Sequence, residues 1–295
     1  VRAMNPTIEE LMQIVEKDPL PVADTSSHWQ IDGRNTIVER RGDELVLIPV
    51  GFGSMHVGGR VAQAARLIER LTYRRVTTRL RSYPSVWRTT RRLADDLSID
   101  LTFDVWRQSV VFALLVDHWT AYNLSPRNFS VIGDGHGILG ALIRRQFPQS
   151  RVYCIDLPKM LVFQARTHEL SNPSASMSIM STKSARPTAV TFVLPKDIEV
   201  ISDQIDCAIN MASMQEMYDG SIASYFKFLR RRSTPSSRFY CVNRLRKELP
   251  GGEVTNFEDY PWQEDDEAFI DGPCPYITHY VSRTGPKGPR VLGVR

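Results

Sequence analysis

The chain has 295 residues, 42% of them hydrophobic and 24% charged, with a formal net charge of +4. That length and apolar content support a full core for one large α/β domain with an appendage, rather than two independent domains. The longest apolar run, Ser109 to Val116, is followed at once by Asp117 and His118 and falls far short of the roughly 20 residues that cross a bilayer.

The first residues carry no basic-then-apolar secretory pattern. Four cysteines, Cys154, Cys207, Cys241 and Cys274, show no CxxC pairing. The first three fall in predicted strands, where a buried reduced thiol is the simplest reading. The expectation is a cytoplasmic protein without disulfides or structural zinc.

In chain order, residues 6–15 form a short amphipathic helix with Ile8, Leu11, Met12 and Val15 on one side. Residues 17–27, rich in Pro, Asp and Ser, read as loop. Residues 36–48 form a hairpin turning near Gly42 and Asp43. Gly51 to Gly59 is rich in glycine but has neither P-loop spacing nor a Lys-Ser/Thr ending, so it reads as a lid or a tight packing turn. Helices follow at about 60–75, 83–97 and 104–122. This mainly helical block, residues 1–124, is expected to cap the open face of a sheet formed by residues 125–295.

Ten arginines stand between Arg60 and Arg92. The default is a solvated helix face, with an anionic partner as the rival. Aromatic residues are not interleaved in a stacking pattern, which argues against nucleic acid.

After Pro126 the pattern alternates. Strands are predicted at 128–133, 151–156, 189–194, 205–210 and 238–244, with helices at about 137–147, 158–170 and 217–231, an order that builds a parallel sheet. Residues 172–187 read as loop and residues 246–275 as a long acidic loop. Residues 275–284 and 291–295 supply the last two strands.

The chemistry concentrates where the first strand ends. An apolar run from Phe129 enters glycines at 133, 135 and 137, and a second apolar run ends in Asp156. Glycines allow a tight turn and close approach to a ligand, while the acid accepts hydrogen bonds from ribose hydroxyls. Gly135, Gly137 and Gly140 also match the dinucleotide fingerprint, with Asp156 nearer than the usual spacing of about 20 residues. None of the ten tyrosines has a lysine four residues on, as short-chain reductase chemistry requires. The fourth strand leads into a polar cluster, Asn210, Ser213, Gln215 and Glu216, on the rim beside these glycines.

With these residues the chain resembles the class I S-adenosylmethionine-dependent methyltransferases, and more narrowly the sugar O-methyltransferases of bacterial polysaccharide clusters. The resemblance rests on residues 131–139, 155–158, 209–217, Tyr225 and Phe226, 240–244 and 259–262, and covers roughly residues 125–285. It implies a Rossmann-like, doubly wound, mostly parallel sheet. It further implies that Gly133, Gly135 and Gly137 pack against the cofactor, that Asp156 binds its ribose and that Leu157 lies against adenine. Asp197 would accept the adenine amino group, with a helix N-cap as the rival role. Asn210 and Ser213 are assigned to the cofactor as well. Val131 stands where the superfamily carries an acid, and Asp134 is the candidate for that charge.

Methylating a sugar hydroxyl calls for a general base. Glu216 is the first candidate, with a helix-start acid as its rival role, and His279 in the predicted strand 276–280 is the second. His136, beside the glycines, contacts the cofactor or caps the next helix. Gln215, Tyr260, Trp262 and Asp271 are assigned to the acceptor, Tyr260 and Trp262 with loop anchoring as the alternative. Asp265, Asp266 and Glu267 read as solvated acids, and no spacing compels a metal. His28 and Trp29 are placed to close over the site. The expected function is O-methylation of a sugar or glycosylated small molecule. A nicotinamide-dependent oxidoreductase and a non-catalytic binding protein are the alternatives; the oligomeric state stays open, a homodimer included.

Overall fold

A computed structural model describes residues 4–21, 25–42, 44–51, 53, 55–56, 74–182, 184, 186–274, 276 and 292–295. His279, most of the predicted helix 60–75 and nearly all of the predicted strand 275–284 lie outside the described residues.

Alternating apolar side chains dictate the central sheet. In β3 (Asn128–Ile132), β4 (Arg151–Ile155), β6 (Val190–Val193), β7 (Cys207–Met211) and β8 (Arg238–Arg244), successive residues enter opposite cores. Phe129, Val131, Val152, Cys154, Phe192, Ile209 and Val242 face one core; Ile132, Tyr153, Ile155, Val193, Ala208 and Cys241 face the other. Burial on both faces is the condition under which a parallel sheet is stable.

Numbering the remaining strands β1 (Ile37–Arg41), β2 (Glu44–Ile48), β5 (Met177–Met180), β9 (Arg246–Glu248), β10 (Val254–Asn256), β11 (Gly272–Pro273) and β12 (Leu292–Val294), the main sheet has the order β11-β12-β8-β7-β3-β4-β6-β5. Strands β5, β6, β4, β3, β7 and β8 are parallel, whereas β12 runs antiparallel to both β8 and β11. The chain lays β4, β6 and β5 on one side of β3 and then returns to lay β7, β8, β12 and β11 on the other. This is a Rossmann-like doubly wound α/β sheet, and the reversal at β3 opens a crevice at the carboxyl ends of β3 and β7.

Helices α1 (Pro6–Lys17), α3 (Tyr83–Leu97), α4 (Phe103–Ala121), α5 (Ile138–Gln146) and α6 (Pro158–Ser171) share one hydrophobic cluster on the first face. Helix α7 (Asp219–Arg232) covers the second with Ile222, Tyr225, Phe226 and Phe228. Helices α1, α3 and α4 thus pack into the same hydrophobic cluster as the sheet's first face. Their starts follow local chemistry: Asn5 accepts from Thr7 N at 2.9 Å ahead of Pro6, and Thr102 accepts from Val105 N at 3.3 Å.

Four elements depart from expectation. Strand β5 lies inside the stretch read as loop; it pairs in parallel with β6 and receives α1, whose Thr7 Oγ1 donates to Met177 O at 3.1 Å. Strands β9 and β10 form a hairpin in the long acidic segment, with Thr255 opposite Lys247. Helix α2 (Ser27–Asn35) buries only Gly33 of its own residues. It is held from outside: Lys159 Nζ donates to Gly33 O and Thr36 O at 2.7 and 2.8 Å.

Candidate active site

The crevice encloses a cavity of about 340 Å³. Its floor is the turn between β3 and α5. Gly133, Gly135 and Gly137 have φ of 71°, 60° and 80°, the left-handed region in which glycine carries no Cβ penalty. Two of these positions have no room for a side chain in any case. A Cβ on Gly133 would sit 2.1 Å from Ser213 Oγ, and one on Gly137 would sit 2.8 Å from Gln164 Cα. Ala212, at the end of β7, also has a positive φ of 59° and lines the cavity.

Asp156 ends β4 and holds this turn in place. Its carboxylate accepts from Gly135 N at 3.2 Å, from Leu157 N at 2.8 Å and from Gln164 Nε2 at 2.7 Å. Burial pushes its pKa up to about 7 in spite of these donors, and the nearby Glu216 charge adds to the rise. Leu157 caps α6 and lines the cavity beside it.

Asp134 also lines the cavity, but its carboxylate is turned to the start of α5. It accepts from Leu139 N at 3.2 Å and Gly140 N at 2.8 Å, two donors that a helix start otherwise leaves unpaired. Burial raises its pKa to about 7. Asp134→Ala is expected to lower the unfolding free energy by about 1–2 kcal/mol through loss of this cap; urea unfolding monitored by circular dichroism measures it, and an unchanged midpoint would refute the capping role.

The β7 rim divides into groups that face the cavity and groups that support it. Ser213, Gln215 and Glu216 line the cavity; Asn210 does not. Asn210 is fully buried, with Nδ2 donating to Ile132 O at 3.0 Å and to Ser213 Oγ, and Oδ1 accepting from Met214 N and Asn243 Nδ2. Both ends of its amide are thus committed to tying β3, β7 and β8 together. Gln215 is likewise engaged, accepting from Arg244 N at 2.8 Å.

Glu216 is held from two sides. Lys247 Nζ lies 2.6 Å from Oε1, and His28 Nε2 lies 3.3 Å from Oε2. Burial acts to raise its pKa, but the hydrogen bond from His28 and the charge of Lys247 outweigh it, and the net shift is downward. Ser26 Oγ donates to the Glu216 carbonyl, and Ser27 Oγ donates to Glu253 at 2.7 Å. These contacts strap α2 across the crevice, with Trp29 among the residues lining the cavity.

Other predicted site residues lie elsewhere. Asp197 sits in the first turn of the 3-10 segment Pro195–Val200, which reaches the cavity through Pro195. Tyr260 is buried in the second-face core with Trp262 packed against it. Trp262 Nε1 donates to Phe257 O at 2.9 Å, with Phe226 at a 4.9 Å ring distance. Asp271 pairs with Arg295 at 3.1 Å. Trp262 and Asp271 line a separate cavity of about 680 Å³, and Tyr260 lines neither. Aromatic rings and acids are equally the chemistry of a loop anchor, and that is the arrangement they adopt here. His136, by contrast, does line the first cavity; its ring packs edge-on against Phe163, and its carbonyl accepts from Thr167 Oγ1 at 2.7 Å.

Further lining residues are Asp104, Arg107 and Gln108 from α4, which had no sequence signal of their own, together with Gly51, Gly53 and Met55 of the glycine-rich segment and Arg244. Among the described residues, no group of three or more His, Cys, Asp or Glu is arranged to hold a metal ion, and no helix is long and apolar enough to cross a membrane.

Fold and crevice together define a doubly wound α/β protein with a cavity at the carboxyl ends of its central strands. No protein-family model matches the chain, and no curated protein sequence does. Similar solved structures include an S-adenosylmethionine-dependent methyltransferase from Clostridium acetobutylicum, at 15% identity over 44% of this chain and 48% of that one, TM-score 0.33. The methyltransferase CalO6 is similar at 17% identity over 60% and 59% of the two chains, TM-score 0.37. The plantazolicin methyltransferase BamL, in complex with a triazolic desmethylPZN analog and SAH, is similar at 12% identity over 61% and 60%, TM-score 0.37. The likeness thus spans about half to three fifths of those chains.

Proposed function

We propose that the chain is an S-adenosylmethionine-dependent O-methyltransferase acting on a hydroxyl of a small molecule, a sugar or glycosylated compound being the acceptor class. One observation carries the reading: the left-handed glycines Gly133 and Gly135 just past β3 and the Asp156 carboxylate just past β4 face one cavity. Such an arrangement receives a ribose and the chain attached to it. A dinucleotide sheet has two parallel mononucleotide-binding halves, whereas here the second half ends in the antiparallel β12 and β11. A cavity of about 340 Å³ stands near the lower end of the about 300–1,000 Å³ range of ligand sites, which suits one nucleoside better than two.

When bound, the cofactor supplies a methyl group on a sulfonium; the protein's own part is alignment and proton handling. Asp156 is placed to accept ribose hydroxyls, and Leu157 and Met160 to give apolar contact to the base. Trp29, Met211, Met217 and Tyr225, which line the cavity with Glu216, offer the acceptor flat and polarizable surfaces. Glu216 is ionised at neutral pH, so its role is to orient the acceptor hydroxyl and take its proton. The Lys247 ammonium limits its basicity, and His28 stands behind it to share the proton.

Calorimetric titration with S-adenosylhomocysteine and with NADH and NADPH tests the cofactor; binding of a nicotinamide nucleotide alone would overturn the proposal. Glu216→Gln is expected to lower turnover at least tenfold while S-adenosylhomocysteine affinity changes less than twofold. Unchanged turnover would remove Glu216 from the chemistry.

A further inference from the structure

Helix α4 contributes a charged wall to this cavity that the nucleoside reading leaves unused. Its first turns place Asp104, Arg107 and Gln108 on the same cavity as Gly133, Gly135 and Asp156. Gln108 is only 7% exposed, and its Oε1 has no hydrogen-bond partner among the described residues. Its amide stands beside Asp134 and helps hold that carboxyl down, so the donor end is in use while the acceptor end is not. A buried acceptor left unpaired is destabilising and calls for an explanation.

The neighbouring charges supply one. Asp104 Oδ1 and Arg107 Nε lie 3.2 Å apart, each side chain about a quarter exposed. Gly53, with φ of 58°, faces Asp104 so closely that a Cβ there would come within 3.2 Å of its carboxyl carbon. One wall therefore offers a carboxylate, an unpaired amide oxygen and a guanidinium. Val131, which lines the same cavity, is 2% exposed and carries no charge.

We infer that Asp104, Gln108 and Arg107 form a clamp for a zwitterionic α-amino-acid head, the end of S-adenosylmethionine that carries an ammonium and a carboxylate. Asp104 and Gln108 Oε1 accept from the ammonium, which has three N–H groups to donate, and Arg107 donates to the carboxylate. The inference rests on the cofactor reading above and assigns to α4 the charge that Val131 does not provide. No bond is made or broken at these groups; they are positioning residues.

Two ligands separate this inference from its parent reading. S-adenosylhomocysteine carries the amino-acid head; 5′-methylthioadenosine keeps the nucleoside and sulfur but lacks the head. In titrations of the full chain, Gln108→Leu and Asp104→Asn are expected to weaken S-adenosylhomocysteine at least tenfold and to leave methylthioadenosine within twofold of the unmodified protein. Arg107→Met is expected to weaken binding of S-adenosylhomocysteine more than that of its decarboxylated analogue. Equal losses for both nucleosides, or no loss of S-adenosylhomocysteine affinity, would overturn the clamp. So would an unmodified chain that binds both nucleosides equally tightly. An unmodified chain that binds neither overturns the cofactor reading itself. Circular dichroism of each variant confirms that a lost affinity is not lost folding.

Discussion

Gly133→Val is expected to lower S-adenosylhomocysteine affinity more than a hundredfold, with the fold itself losing stability. The residue has φ of 71°, and the space a Cβ would take is already filled by Ser213 Oγ and Cβ at 2.1 and 2.3 Å. Ser213 has little freedom to retreat, because its Oγ donates to Ile132 O at 3.2 Å and accepts from Asn210, which is locked in turn to Asn243. A β-branched side chain therefore meets two penalties. The left-handed backbone costs about 1–2 kcal/mol, and overpacking about 1–3 kcal/mol. Denaturant unfolding should show a loss of about 2–5 kcal/mol from the two combined. The matched control is Gly220→Ala, at an exposed α7 position where a Cβ meets nothing within 4 Å; it should gain about 0.5–1 kcal/mol. A Gly133→Val protein that kept binding within tenfold would show that this turn is not the cradle of the nucleoside.

The glycine turn was legible because its physics is local. Apolar runs of period two, both faces buried, fix β3, β4, β6, β7 and β8 to within two residues, and the glycines and Asp156 fall at strand ends by construction. Elements whose stability comes from far along the chain were not legible. Helix α2 has a polar sequence and survives through Lys159 and Glu216, which no window around residue 30 contains. Strand β5 is four residues in a Ser- and Pro-rich stretch, and the open edge of β6 and the contact from Thr7 make it a strand. Context of this kind routinely overrides local propensity.

The site shows the same division. Gly133, Asp134, Gly135, Asp156, Leu157, Ser213, Gln215 and Glu216 do meet on one cavity, since a doubly wound sheet brings strand ends together whatever the loops do. The mixture of Asp104, Arg107 and Gln108 could not be read, because α4 presents mostly as an apolar core helix, ten of its residues being buried. Which of its turns reaches the crevice depends on how Trp106, Val110 and Phe112 pack. Tyr260, Trp262 and Asp271 fall apart from this cavity for the converse reason: the residue types that stack on sugars also pin a loop to a core.

S-adenosylhomocysteine affinity is expected to rise with pH between about 6 and 8, by up to tenfold per unit, and to level off above 8. Asp156 and Asp134 each have a pKa raised to about 7, from burial first and like charge second. In the free protein both therefore hold protons that the unfolded chain, with carboxyl pKa values near 4, has already released. A ligand that donates ribose hydroxyls to Asp156 favours the ionised carboxylate and must expel its proton when the pH is below 7. Binding measured in buffers of different ionisation enthalpy should show release approaching one proton at pH 6 and none at pH 8.5. Asp156→Asn should abolish the slope along with most of the affinity. The same groups set the stability of the free protein, with the opposite sign. A raised carboxyl pKa contributes stability that is complete below about pH 4 and is lost as the pH rises through 7, at up to about 1.4 kcal/mol per unit for each group. Cofactor and free fold therefore favour opposite protonation states of the same carboxyl, and the melting temperature gained on adding S-adenosylhomocysteine should grow from pH 6 to pH 8. A flat affinity across that range would mean that Asp156 does not meet the ligand.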